Sequence, residues 1–208
     1  MSVLPRIRPK PSGFIEPCIP TAARVPPSGP GWVHEIKHDG YRLMARLEAG
    51  GVRLFTRRGH EWSDRFPRIG EALASLRATS ATIDGEAVVL CPKTGLSLFD
   101  ELHSGRRDHD VILYAFDLIE LNGDDLRREP LEVRKATLTS LLTKTRAGIR
   151  ISEHIEADGE TVFRHACKLG CEGIVSKQRA SIYRSGRVRT WIKVKNPESP
   201  AMTRVWER

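Results

Sequence analysis

A chain of 208 residues with 39% apolar residues and a mean hydropathy of −0.36 can bury one sizeable core and is too apolar for a disordered polymer. No apolar run reaches membrane-spanning length and the N-terminus lacks the apolar stretch of a secretion signal, so a cytoplasmic protein with no membrane partner is expected. The net charge of +8 and isoelectric point near 9.6 favour a polyanionic partner, nucleic acid first among them.

Residues 1–30 hold eight of the thirteen prolines. A segment so rich in proline predicts an extended wrap over the surface, since proline breaks helices and central strands alike. The expected organisation is this wrap, a body over 31–196 and a short tail over 197–208. The stretch WVHEIKHDGYRL (32–43) alternates, which places Val33, Glu35, Lys37 and Asp39 on one strand face and His34, Ile36 and His38 on the other. A lysine on a core-facing strand is costly unless it is paired or its amine is used. Asp39-Gly40 reads as a tight turn, with Arg42 opening a return strand. YRLMARLE and VRLFTRR, separated by AGG, predict a hairpin. Residues 64–77 predict a helix capped by Asp64, with Phe66, Ile69, Leu73 and Leu76 on one stripe.

Further along, ATIDGEAVVL and DVILYAFDLIEL read as strands, the second ending at the NGDD turn. Asp84 and Glu86 share one strand face, where two carboxylates suit a metal ion or a ribose hydroxyl, or lie exposed. PLEVRKATLTSLLTKTR predicts a helix with Pro130 at its first position. IRISEHIE is a strand, GETVFRHACKLG a helix stopped by Gly170, and EGIVSK and TWIKVK are the closing strands. Trp191, Lys193 and Lys195 fall on one face of the last strand. Cys18, Cys91, Cys167 and Cys171 form no CxxC pair, and Cys167, Cys171 and His165 offer three metal donors without a fourth, so free thiols are expected. Hairpin-linked strands mixed with several helices give an α+β class with mostly antiparallel sheets.

Taken in order, KHDGYR (37–42), TRRG (56–59), DGE (84–86), YAFDL (114–118), EGIVSK (172–177) and WIKVK (191–195) resemble the motifs of the covalent nucleotidyltransferase superfamily. That superfamily holds ATP-dependent DNA ligases, RNA ligases and mRNA capping enzymes. FDLIELNGDDLRREPLEVRKATL and EPCIPTAARVPPSGPGWVHEIKHDGYR resemble in particular the bacterial end-joining ligases of the ligase D and ligase C kind. The resemblance implies the nucleotidyltransferase fold of antiparallel β-sheets flanked by helices. The twelve residues after Asn196 are too few for the OB-fold domain that follows in full ligases.

The resemblance also implies an activity: ATP-dependent DNA ligation through a lysyl-AMP intermediate, in DNA repair, recombination and end joining. Lys37 is then the nucleophile, and its amine has to attack in the neutral form. Glu35 is expected beside the adenine amino group, Phe116 stacked on adenine, and Arg42 and Arg57 near the ribose, the pyrophosphate or the DNA 5′-phosphate. Glu86 is expected at the ribose hydroxyl or at magnesium (or manganese), Glu172 at the metal, Lys177 at the nucleotide, and Lys193 and Lys195 at the α-phosphate. Arg58 stands where the family carries Asn. The partners implied are ATP, DNA held through its backbone, and an OB-fold-bearing or end-joining protein. The alternative is a module that binds nucleotide or DNA ends without ligating.

Overall fold

The computed structural model describes residues 14–145 and 147–203. Eleven strands and five α-helices among them build two sheets with helices on their outer faces. β1 (Cys18–Ala22), β2 (Trp32–Ile36), β3 (Tyr41–Glu48), β4 (Gly51–Thr56), β5 (Ala81–Val88) and β6 (Ile112–Leu121) come first, followed by the two-residue β7 (Asp124–Asp125). β8 (Ile149–Ile151), β9 (His154–Ile155), β10 (Gly173–Gln178) and β11 (Gly186–Lys195) complete them. The helices are α1 (Pro67–Ala74), α2 (Phe99–His103), α3 (Leu131–Leu142), α4 (Gly159–Lys168) and α5 (Pro200–Thr203).

One sheet runs β4-β3-β5-β6-β7 with β8 beside β6; the other runs β1-β11-β10-β2-β9. Pairing is antiparallel except for β1 with β11 and β6 with β8. The β3–β4 hairpin forms as the AGG signal predicts: Glu48 faces Gly51, whose φ of +113° suits a residue without a Cβ. The outer face of the first sheet packs Leu43, Ile83 and Leu113 against Phe66, Ile69 and Leu73 of the α1 region. Between the sheets lie Met44, Phe55 and Ile119 from one side and Cys18, Val33 and Trp191 from the other. Val162 and Ala166 of α4 cover Ile174 on the far face of the second sheet.

Three local expectations are corrected. Asp64 does not cap α1: it lies in a 3-10 turn (Ser63–Arg65), and Pro67 at the first helical position sets the start instead. The predicted strand IRISEHIE is two strands of different sheets, β8 along β6 and β9 along β2, with Ser152 between them donating its N–H to the Ala115 carbonyl at 2.7 Å. The predicted corner at 37–40 is no hairpin, because β2 and β3 belong to different sheets and Lys37–Gly40 is the crossing between them. The crossing is tight. A Cβ on Gly40 would sit 2.2 Å from the Ala87 carbonyl oxygen and 2.9 Å from Val88 Cγ1.

Residues 1–13 of the expected proline-rich wrap lie outside the described residues. Its remainder includes β1, a sheet edge whose register shifts after Pro20, where a residue without an N–H is tolerated. Pro130 stands just before α3 rather than inside it. Asp158 caps α4, accepting from the Thr161 N–H at 2.9 Å, and Gly170 (φ +80°) follows its end.

Candidate active site

Where the two sheets meet, a cavity of about 700 Å³ opens, lined by Glu35, Lys37, Arg42, Arg57, Arg58, Glu86, Phe116, Lys177, Trp191 and Lys193 among others. Eight of the residues expected from sequence therefore share one cleft. Glu172 and Lys195 sit beside it, joined through Lys37: the Lys37 amine donates to Glu172 Oε2, and Lys195 Nζ lies 3.2 Å from Glu172 Oε1. Two close backbone contacts create this junction. The Lys37 N–H donates to the Gly173 carbonyl at 2.9 Å, and Gly173, at φ +144°, runs so near β11 that a Cβ would meet the Val194 oxygen at 2.1 Å.

Lys193, half-buried in the same group of cations, has its amine pushed below the usual lysine range, by burial first and then by Lys37, Lys195, Arg187 and Arg57. Glu86 faces the opposite strain. Burial pushes its carboxyl up to about 7, Lys37 and Arg42 pull it down, and Glu172 and Asp84 push it further up. Two carboxylates thus flank the Lys37 amine, one paired with lysines and one short of positive charge. Among the described residues no three His, Cys, Asp or Glu side chains cluster into a metal site. Glu86 and Glu172 offer carboxylate oxygens of the kind that suits a hard divalent cation. The four cysteines are free thiols.

Asp84, read from sequence as exposed or metal-facing, is neither. It is wholly buried and accepts from Arg42 Nε at 2.9 Å, Arg42 Nη2 at 2.6 Å and the Tyr183 hydroxyl at 2.6 Å. Burial works against the charge of Arg42, but Asp84 holds the guanidinium firmly protonated. Arg42 therefore presents a fixed fork, not a mobile one, 4.9 Å from the Phe116 ring centroid. Lys177 Nζ lies 4.4 Å from the same centroid and 4.1 Å from that of Trp191, which makes Phe116 a half-buried wall bordered by cations. His38, stacked on Tyr114 at 4.0 Å, is pushed down to about 4 by burial and is neutral near pH 7.

Glu35 answers for its burial with three partners. Its Oε1 accepts from Lys135 at 2.7 Å; its Oε2 accepts from Lys177 at 2.8 Å and the Ser152 hydroxyl at 3.1 Å. Burial disfavours its charge, but Lys135 and Lys177 outweigh that and keep it ionised. The Lys177 amine is pushed down to about 8, by burial first. Lys135, Ser152, Tyr183 and Trp191 are the participants that sequence reasoning missed. Lys135 left one signal: it lies four residues after Leu131 and three before Leu138, on the stripe α3 buries, where a cation requires a buried partner.

The chain matches the family model of the ATP-dependent DNA ligase domain over residues 23–195. It is 40% identical over 186 residues to the multifunctional non-homologous end joining protein LigD of Pseudomonas aeruginosa, covering 88% of this chain and 22% of that protein. A DNA ligase of Pyrobaculum calidifontis is 33% identical over 177 residues, covering 77% of this chain and 30% of the relative. The ligase domain of Mycobacterium tuberculosis LigD superposes with a TM-score of 0.75 at 33% identity, covering 86% of this chain and 60% of that one. A mycobacterial DNA ligase D complexed with ATP and MES superposes at 0.74, also at 33% identity, covering 86% of this chain and 59% of that one. The chain spans about a fifth of the LigD relative and three fifths of the solved ligase domains. The match across β2 to β11 and the lysine, carboxylate and aromatic side chains gathered in one cleft make the chain a member of the ATP-dependent DNA ligase domain family.

Proposed function

We propose that this chain is the adenylating core of an ATP-dependent DNA ligase: Lys37 takes AMP from ATP and passes it to a DNA 5′-phosphate so that a nick is sealed. The observation that carries the reading is the position of the Lys37 amine. It lies in the cleft, 22% exposed, between the carboxylates of Glu172 and Glu86, with Lys193 alongside.

The cleft sorts a nucleotide by chemistry. Its buried side offers aromatic walls (Phe116, Trp191) and the Glu35 carboxylate for a base; its exposed side offers Arg57, Arg58 and Lys193 for phosphates. The Lys37 amine donates to Glu172 Oε2 and has to attack in its neutral form. Glu172 and Glu86 would hold a divalent cation, which would supply neutralisation of phosphate charge. The neutral Lys37 amine attacks the α-phosphorus: an N–P bond forms, a proton passes from the nitrogen to water, the bond to the bridging oxygen breaks, and pyrophosphate leaves with that electron pair. Lys193 and Lys195 stabilise the negative charge that develops. A DNA 5′-phosphate oxygen then attacks the same phosphorus and frees Lys37. In the sealing step the 3′-hydroxyl displaces AMP.

DNA backbone contact through the exposed Arg57, Arg58, Arg187 and Arg189 makes affinity fall steeply with salt. An OB-fold-bearing or end-joining protein is the partner proposed for clamping DNA. A cytoplasmic setting belongs to the same proposal; no helix among the described residues is long and apolar enough to cross a membrane. The test is incubation with α-labelled ATP and magnesium, then denaturing electrophoresis, with Lys37→Ala alongside. Label on the wild type and none on the variant supports the reading. No label on the wild type, and no sealing of a pre-adenylated nick, favours a module that binds without ligating.

A further inference from the structure

Glu35 has two oxygens, each able to accept two hydrogen bonds. Oε2 is filled by Lys177 (2.8 Å) and the Ser152 hydroxyl (3.1 Å), whereas among the described residues Oε1 accepts only from Lys135 (2.7 Å). The single open acceptor position of this buried carboxylate is therefore on the oxygen that Lys135 holds. Lys135 is itself pinned. Its ammonium also donates to the Ser152 carbonyl at 2.8 Å, so the link between β8 and β9, helix α3 and strand β2 converge on one group. Glu35 lines the cleft beside Phe116 and Trp191, so a flat base lying against those rings brings its edge towards that oxygen.

We infer that Lys135 is a positioning residue. It fixes Glu35 Oε1 as an acceptor for the exocyclic amino group of a purine, and so sets the preference for a 6-aminopurine over a 6-oxopurine triphosphate. The inference rests on the nucleotide-binding reading above. An amino group donates to the open position of Oε1; an oxo group sets one acceptor against another and loses that bond. Without Lys135, Oε1 has no protein donor, and the carboxylate turns to follow Lys177 and Ser152. The discrimination weakens although no residue of the cleft wall has changed. The fold has reason to survive the loss. The buried group Lys135–Glu35–Lys177 carries two positive charges against one negative, so deleting Lys135 leaves a compensated pair rather than a lone ion.

The experiment compares covalent labelling by ATP and by inosine triphosphate in the wild type, Lys135→Met and Lys135→Gln, with kcat and KM separated and unfolding temperatures recorded. Lys135→Met should raise the KM for ATP, leave kcat nearly unchanged and reduce the ATP-over-inosine preference in kcat/KM about tenfold, the value of one charge-assisted hydrogen bond. Lys135→Gln, which keeps a donor within reach of Ser152, should lose part of the preference; it decides the matter where the methionine variant does not fold. An unchanged preference in the folded variant, or a loss confined to kcat, overturns the inference and leaves the ligase reading standing. A wild type that takes no label from ATP overturns both.

Discussion

On the α1 side of the β3–β5–β6 sheet the side chains removed from water are Leu43, Ala45, Ile83, Leu113 and Leu118. In the β2–β10–β11 sheet they include His34, Glu35, Ser176 and Lys177 beside Ile174 and Trp191. The first sheet buries hydrocarbon, which contributes to stability in proportion to area and tolerates modest changes of shape. The second buries charges and hydroxyls, each of which needs a partner at one distance, such as His34 Nδ1 to the Ser176 hydroxyl at 2.8 Å. Hydrocarbon is thus concentrated on the α1 side of the first sheet, whereas buried charge, Asp84 of that sheet included, gathers towards the seam along which the cleft lies.

The sharpest way to break that contrast is Asp117, a charge on the apolar sheet. It is fully buried against Arg134 of α3 through bonds of 2.7 and 2.8 Å. Asp117→Ala strands a guanidinium in the interior and should cost about 4 kcal/mol in a urea unfolding curve. Leu113→Ala, in the centre of the apolar sheet, should cost about 3 kcal/mol while leaving the KM for ATP unchanged in the folded protein. A shifted KM would show that the sheets are not independent.

Glu86 tests the seam through pH. Its folded value of about 7 stands above the ordinary 4.5. The protonated carboxyl stabilises the fold below about pH 4.5, and that contribution is lost as pH rises to about 7. Glu86→Gln should flatten this dependence in thermal melts and stabilise the metal-free protein by about 2 kcal/mol at pH 8. The same change should lower metal-dependent labelling. The smallest effect is expected at Asp158, the cap of α4: Asp158→Ala should cost about 1 kcal/mol and leave labelling intact.

Much of the apolar sheet was legible from alternation alone, as the AGG hairpin and the stripe of Phe66, Ile69 and Leu73 show. The charged sheet was legible only as a set of motifs. Nothing in the spacing of VRKATL tells that Arg134 and Lys135 turn inward, because their partners lie 17 and 100 residues away in the chain. Periodicity also cannot say which sheet a strand joins. IRISEHIE keeps Ile149, Ile151 and Ile155 in one period-2 register while the backbone steps from one sheet to the other at Ser152. The pairing of Arg42 with Asp84 escaped for a related reason: opposite charges 42 residues apart become neighbours only when β3 and β5 align.

Gly40 gives the cleft an adjustment of its own. It passes β5 where a single added methyl would meet the Ala87 carbonyl oxygen at 2.2 Å, and Lys37 is only three residues earlier on the same crossing. A side chain there would act as a wedge. It would pry the sheets apart and carry the Lys37 amine away from Glu86 and Lys193 without touching any of them. Gly40 therefore sets reach in place of reactivity, and the position of the Lys37 amine depends on a residue that has no side chain at all.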